Sequence, residues 1–250
     1  MFQVLPFDLH TSEKHRRARI SAENSSARAK SSTGFAVISV LGPPGAGKGT
    51  LAAHLAKQYS LTHFSVGDSL REWLRDEKNQ ENPLAAVIQD KIENQGFLDS
   101  EELNPFIRTA IRMAVSDGRN GLLIDGYPRC FEQMQSLDSW PFEDDLPRQQ
   151  GEVPDMVLAI RVNKINAQAR YVGRVRDARD SDEKFEKRFV EYEAETMPVE
   201  KAYRERGILV EVDANGTKAE NVEELERQLF ESAIWKSRLL RAFERVDHTP

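Results

Sequence analysis

At 250 residues, with 39% hydrophobic and 30% charged residues, the chain is long enough to bury a sizeable core and does not have the composition of a disordered protein. Its formal charge of −6 and pI near 5.5 exclude a broadly basic nucleic-acid surface, so any anion site must be local. The single cysteine, Cys130, excludes an internal disulfide and a multi-cysteine zinc site, and no apolar run is long enough to span a membrane. One cysteine fits a reducing compartment, so the cytoplasm is expected, with the mitochondrion as the alternative.

Residues 1–34 read as a disordered extension. The opening MFQVLPFDLH is short and broken by proline, and residues 11–33 are rich in Ser, Arg and Ala with few apolar side chains. Glu13 and Glu23 weigh against the alternative, a mitochondrial presequence. Order is expected from Phe35, where FAVISVL is a short apolar run rich in β-branched residues, the signature of a buried strand. From Lys48 to Tyr59, Leu51, Leu55 and Ala56 recur at helical spacing. GLLIDG at 121–126, DMVLAIRV at 155–162 and GILVEV at 207–212 predict three more strands, and THFS at 62–65 a fifth. Strands alternating with helices predict an α/β fold with a parallel sheet of about five strands, flanked by helices, with ligands at the carboxyl ends of the strands.

Two regions break the alternation. Residues 67–117 predict three consecutive helices, interrupted at Asn79 to Pro83 and at Gly96 to Ser100. Residues 163–206 predict two helices joined by the charged RVRDARDSDEK, a candidate mobile lid. PFEDDLPRQQGEVP at 141–154 reads as an acidic surface loop, and residues 232–250 as an amphipathic helical extension.

The strongest signal lies between the first strand and the first helix, where Gly42 to Thr50 spell GPPGAGKGT. Glycines there let successive backbone N–H groups converge on phosphate oxygens at a helix N-terminus, and Lys48 neutralises the outer phosphates. The hydroxyl that usually follows the lysine comes one position later, at Thr50, after Gly49. In this form, GxPGxGKGT, the loop resembles the phosphate loop of the adenylate kinase family.

The resemblance continues in order to Leu229, through HFSVGDSLR at 63–71, GFLDSEEL at 96–103, GLLIDGYPRCFEQ at 121–133, ARYVGRV at 169–175 and VDANGTK at 212–218. It implies a P-loop NTPase-type nucleoside monophosphate kinase domain over residues 35–231, with a helical monophosphate-binding insert at 66–100 and a short lid at 174–188. ATP would be the co-substrate, held by Gly45, Ala46, Gly47, Lys48, Gly49 and Thr50 at its phosphates, by Arg174, and by the backbone near Gly216 at its adenine. The monophosphate would lie against Val66, Arg71, Phe97, Leu98, Asp99 and Gly126, with Arg129, Arg179 and Arg188 on its phosphate and Gln133 on its base. Asp125 would hold Mg2+ through water.

Lys48, Arg129, Arg170, Arg179 and Arg188 would converge on the transferred group, with no general base because the acceptor is already an ionised phosphate. Arg170 and Arg174, four apart on one helix, share a face. Gln133 favours AMP as acceptor, whereas Val66 stands where adenylate kinases usually have threonine and UMP/CMP kinases alanine, and REWLRDEKN and the Leu-Asp-Ser-Trp140 ending resemble UMP/CMP kinases. The lid is shorter than in short-lid members, with Asp180-Ser181-Asp182 where paired aspartates are usual, which leaves open a nucleotide-binding protein with little transfer activity. An unrelated P-loop ATPase, indifferent to any monophosphate, is the third reading. The partners expected are small-molecule nucleotides, with no nucleic acid and no membrane, on a chain that needs to be no more than a monomer.

Overall fold

A computed structural model describes residues 34–94, 96–146, 153–173 and 181–240. Five strands form one parallel sheet: β1 (Ala36–Leu41), β2 (Leu61–Ser65), β3 (Gly121–Asp125), β4 (Met156–Arg161) and β5 (Leu209–Asp213), in the spatial order β2-β3-β1-β4-β5. Every residue of β1 and β3 is buried, as a parallel strand covered on both faces requires. Ile38 and Val40 point to one face with Leu158, Ile160 and Val212 of the neighbouring strands. Val37, Leu122 and Ile124 point to the other, following the two-residue period of the pleat.

The first face is covered by α1 (Lys48–Gln58) through Leu51 and Leu55, and by α9 (Lys218–Glu231) through Leu225 and Leu229. Thr217 starts α9 with a capping box, its Oγ1 accepting from Glu220 N while Glu220 accepts from Thr217 N. The second face is covered by α4 (Ser100–Ser116) through Leu103, Ile107 and Ile111. Between β2 and α4 lie α2 (Val66–Arg75), a 3₁₀ turn at Glu77–Asn79 and α3 (Pro83–Asn94), so the expected run of consecutive helices is observed. Asp68 starts α2 with a backbone N–H to Ser65 Oγ, a cap immediately after the end of β2.

After β3 come α5 (Phe131–Asp138), then β4, α6 (Lys164–Val172) and α7 (Asp182–Glu191). A five-residue π turn, Tyr192–Thr196, joins α7 to α8 (Met197–Glu205). The second of the two helices expected over residues 163–206 is thus interrupted by a π turn, across which Phe185, Phe189, Tyr192, Val199 and Tyr203 all stay buried.

The predicted acidic surface loop at 141–154 needs correction over its described part. Phe142 and Leu146 are fully buried, and Trp140 donates its indole N–H to Leu146 O at 2.9 Å. Asp145 accepts from Arg108 and, at 2.6 Å, from Arg112, both on α4. Of the carboxylates that made the segment look solvated, Asp145 neutralises arginines on the helix beneath it, while Glu143 and Asp144 are exposed. The predicted C-terminal helix is present to Leu240, with Trp235 and Leu239 buried against α1 and α9 and Trp235 edge-on to Tyr59 at 4.7 Å. The 1–33 extension and residues 241–250 lie outside the described residues.

Candidate active site

The carboxyl ends of β1, β2 and β3 open into a cavity of about 210 Å³. Its floor is the phosphate loop, where Gly47, with φ +87°, caps α1 and turns the chain so that the loop's backbone leads directly into the helix N-terminus. Lys48 bends back over the loop and donates to Gly42 O at 2.8 Å and Pro43 O at 3.0 Å. Gly45, Lys48 and Gly49 line the cavity. Ala46 is buried beneath it, Gly47 acts through the turn, and the exposed Thr50 sits in the first turn of α1.

From α2 come Val66 and Arg71, and Arg71 pairs with Asp68 at 3.0 Å. The segment between α3 and α4 contributes Phe97 and Leu98, while Asp99 caps α4, its backbone N–H donating to Glu102 at 3.0 Å. From the end of β3 come Asp125, Gly126 and Arg129. Arg129 donates from Nε to Gly126 O at 2.8 Å and lies over the Phe97 ring at 5.8 Å. Arg188 of α7 donates to Ile92 O at 3.1 Å, and next to it Glu191 accepts from Gly96 N at 2.6 Å. Lys48, Arg71, Arg129 and Arg188 thus surround one space in a protein whose net charge is negative. Burial, and then the charge of Arg188, push the Arg129 guanidinium below its ordinary pKa, with Asp125 and Glu191 acting the other way. Cations held close enough to disfavour one another are matched to a polyanion.

Asp125 is 8% exposed. Burial raises its pKa, but the neighbouring His63 imidazole and the charges of Lys48 and Arg129 outweigh that and hold the carboxyl below the ordinary range. His63 Nε2, on β2, stands 3.6 Å from Asp125 Oδ2, and no role is expected of it from sequence. Among the described residues no group of three His, Cys, Asp or Glu could cage a metal ion. An ionised carboxylate at the phosphate loop instead fits Mg2+, which keeps most of its waters and takes its other ligands from phosphates.

Other expected residues are placed differently. Arg170 does not reach the cavity: its guanidinium bonds Ala214 O and Gly216 O, tying α6 to the loop after β5, which corrects its expected place among the converging cations. The reason is helix phase, because the face of α6 that carries Arg170 is turned to that loop while Tyr171 lines the cavity. Gly216 belongs to the same loop and is likewise outside the cavity. Gln133 is buried to 1%, its Nε2 donating to Leu98 O at 2.9 Å and its Oε1 accepting from Arg129 N at 2.8 Å. One N–H and one lone pair of its amide remain for a base. Arg174, Arg179 and Asp180 lie outside the described residues.

Lys91, Tyr192 and Thr196 line the cavity without any signal in the sequence. Thr196 donates its hydroxyl to Arg129 O at 2.9 Å, a contact between residues 67 apart that only the fold reveals.

A model of the family described as adenylate kinase matches residues 40–208. The chain is 34% identical to the adenylate kinase of Leifsonia xyli subsp. xyli over 180 residues, 71% of this chain and 84% of that one. It is 35% identical to that of Micrococcus luteus over 180 residues, 71% and 82% of the two chains. With the adenylate kinase of Caldanaerobacter subterraneus subsp. tengcongensis it shares 33% identity over 220 residues, 76% and 94% of the two.

Proposed function

The chain belongs to the adenylate kinase family and is an ATP-dependent phosphotransferase acting on nucleoside monophosphates, and on that premise we propose that its acceptor is AMP. The observation that carries this reading is the cavity itself, in which Lys48 of the phosphate loop and Arg71, Arg129 and Arg188 from three other elements face one space. Gln133, pinned by Leu98 O and Arg129 N, supports AMP over UMP or CMP, since it offers one donor and one acceptor side by side, the pair that an adenine edge complements.

Phosphoryl transfer passes through a loose transition state, so the protein's task is alignment and charge neutralisation. Lys48 would leave Gly42 O and Pro43 O for the outer phosphates of ATP, and the backbone of Gly45 to Gly49 would hold them at the start of α1. Arg71 and Arg129 would grip the acceptor phosphate, and Arg188, released from Ile92 O, would bridge the two. Asp125 would hold Mg2+ through water, where the ion would neutralise phosphate charge. Each donor is aimed at oxygens that gain charge during transfer, and none must give or take a proton.

Residues 66–100 are proposed as the monophosphate-binding insert and 174–188 as the lid, with Arg174 and Arg179 on the phosphates and the loop at Gly216 beside the adenine of ATP. A monomer is proposed, since nothing in the sequence demands more. Among the described residues no helix is long and apolar enough to cross a membrane; the cytoplasm is proposed from the single cysteine alone.

The test is nucleoside diphosphate formation from ATP and Mg2+ with AMP, UMP, CMP and GMP as separate acceptors. The reading expects AMP to have the highest kcat/KM and Gln133→Ala to erode that preference. UMP or CMP ahead of AMP would overturn the base assignment. ATP binding without turnover on any acceptor would overturn transfer itself.

A further inference from the structure

Glu200 of α8 is 1% exposed and does not line the cavity. It accepts from Arg161 Nη1, and its two carboxylate oxygens lie 3.2 and 3.1 Å from the Tyr192 hydroxyl. Arg161 Nη1 also donates to that hydroxyl at 3.0 Å, while its Nε turns outward to Glu211 at 2.6 Å. A buried ion pair of this kind is a poor source of stability, because desolvation consumes most of the attraction. What it supplies here is connection.

Arg161 closes β4, which runs in register beside β1 as far as Leu41, the residue before the phosphate loop. Tyr192 lines the cavity and opens the π turn. Thr196 closes that turn and holds Arg129 through its carbonyl. A π turn adds one residue to the helical path, and each residue rotates the helix face by about 100°. Arg188 precedes the turn and Glu200 follows it, so the directions in which α7 and α8 present their side chains depend on where the extra residue is accommodated. The contacts of Arg161 with both Tyr192 and Glu200 span the turn and fix that choice against the strand that leads under the phosphate loop.

We propose that Arg161, Glu200 and Tyr192 form a positioning unit for phosphoryl transfer, locking the phase of α7 and α8 so that Arg188 and, through Thr196, Arg129 face the phosphate loop.

The double variant Arg161→Met/Glu200→Leu removes the charges while keeping apolar volume, an exchange that buried pairs commonly tolerate. The expected result is a melting temperature at or above wild type with kcat lower by about tenfold or more, a raised KM for the monophosphate, and a KM for ATP within about threefold. Glu200→Gln, which still bonds Arg161 and Tyr192, should keep kcat within about threefold of wild type. Asp138→Asn, which weakens the Arg206 ion pair outside the cavity, serves as a control with unchanged kinetics. A folded double variant with wild-type kcat would reduce the unit to scaffolding and overturn the proposal. Should the double variant lose its cooperative melt, Tyr192→Phe decides: a severalfold fall in kcat supports the unit, and unchanged kcat overturns it.

Discussion

Replacing Gly126 by Ala measures how tightly the cavity must hold Arg129. Gly126 follows β3 with φ +85°, and an added Cβ would stand 2.6 Å from Arg129 Nη2 and 3.3 Å from its Cζ and Nε. Two costs follow, and they separate. Left-handed backbone costs an L residue about 1–2 kcal/mol, which for a chain of this size lowers the melting temperature by about 2–8 °C. The clash is a cost to function, because the guanidinium must swing away and lose its bond to Gly126 O. A misplacement of the order of 1 Å in a positioned group costs about 100-fold, so kcat/KM for the monophosphate should fall by about that factor in a coupled assay while KM for ATP changes little. Gly207→Ala is the control: its φ is +72°, but a Cβ there meets nothing within 4 Å, so it should lower the melting temperature and leave kinetics alone. If Gly126→Ala matches Gly207→Ala in both readouts, with kcat/KM within threefold of wild type, the assigned role of Arg129 is refuted.

Gln133→Ala strands Leu98 O and Arg129 N in a buried site at about 1–3 kcal/mol each, so urea unfolding should show a loss of that order with a raised monophosphate KM. Trp235→Ala should cost about 3–5 kcal/mol in the same experiment, since Trp235 is 2% exposed against Tyr59, and should leave kcat unchanged. Glu211 feels burial, which raises its pKa, but hydrogen bonds from Arg161 and Arg204 outweigh it and hold the carboxyl below the ordinary value. A depressed carboxyl contributes stability above the ordinary carboxylate range and loses it as pH falls through the folded-state pKa. Glu211→Gln should therefore flatten the acid limb of melting temperature against pH below about 4.5, leaving the neutral side little dependent on pH.

The sheet was legible in the sequence because buried parallel strands carry continuous apolar runs, as FAVISVL and GLLID do. β2 gave a weaker signal, since four of its five residues are only partly covered. The phosphate loop and Arg129 were legible because they lie in local patterns next to strand ends. Thr196, Tyr192 and Lys91 were not, since each reaches the cavity through contacts that depend on how distant helices pack. Arg170 shows the limit of helix periodicity, which says what shares a face but not what that face meets. Asp145 shows the same limit for charge, because a carboxylate in an acidic run reads as solvated until the arginines beneath it are seen.

One cavity transfers a phosphoryl group between two nucleotides rather than to water. The most direct measurement follows ATP, ADP and free phosphate together, with and without AMP, for the wild type and Lys48→Met. The expected result is about two ADP formed for each ATP consumed, little phosphate released, no reaction without AMP, and loss of at least about 100-fold in Lys48→Met. Release of phosphate at the same rate with or without AMP would contradict it, and the cavity would then be that of an ATPase.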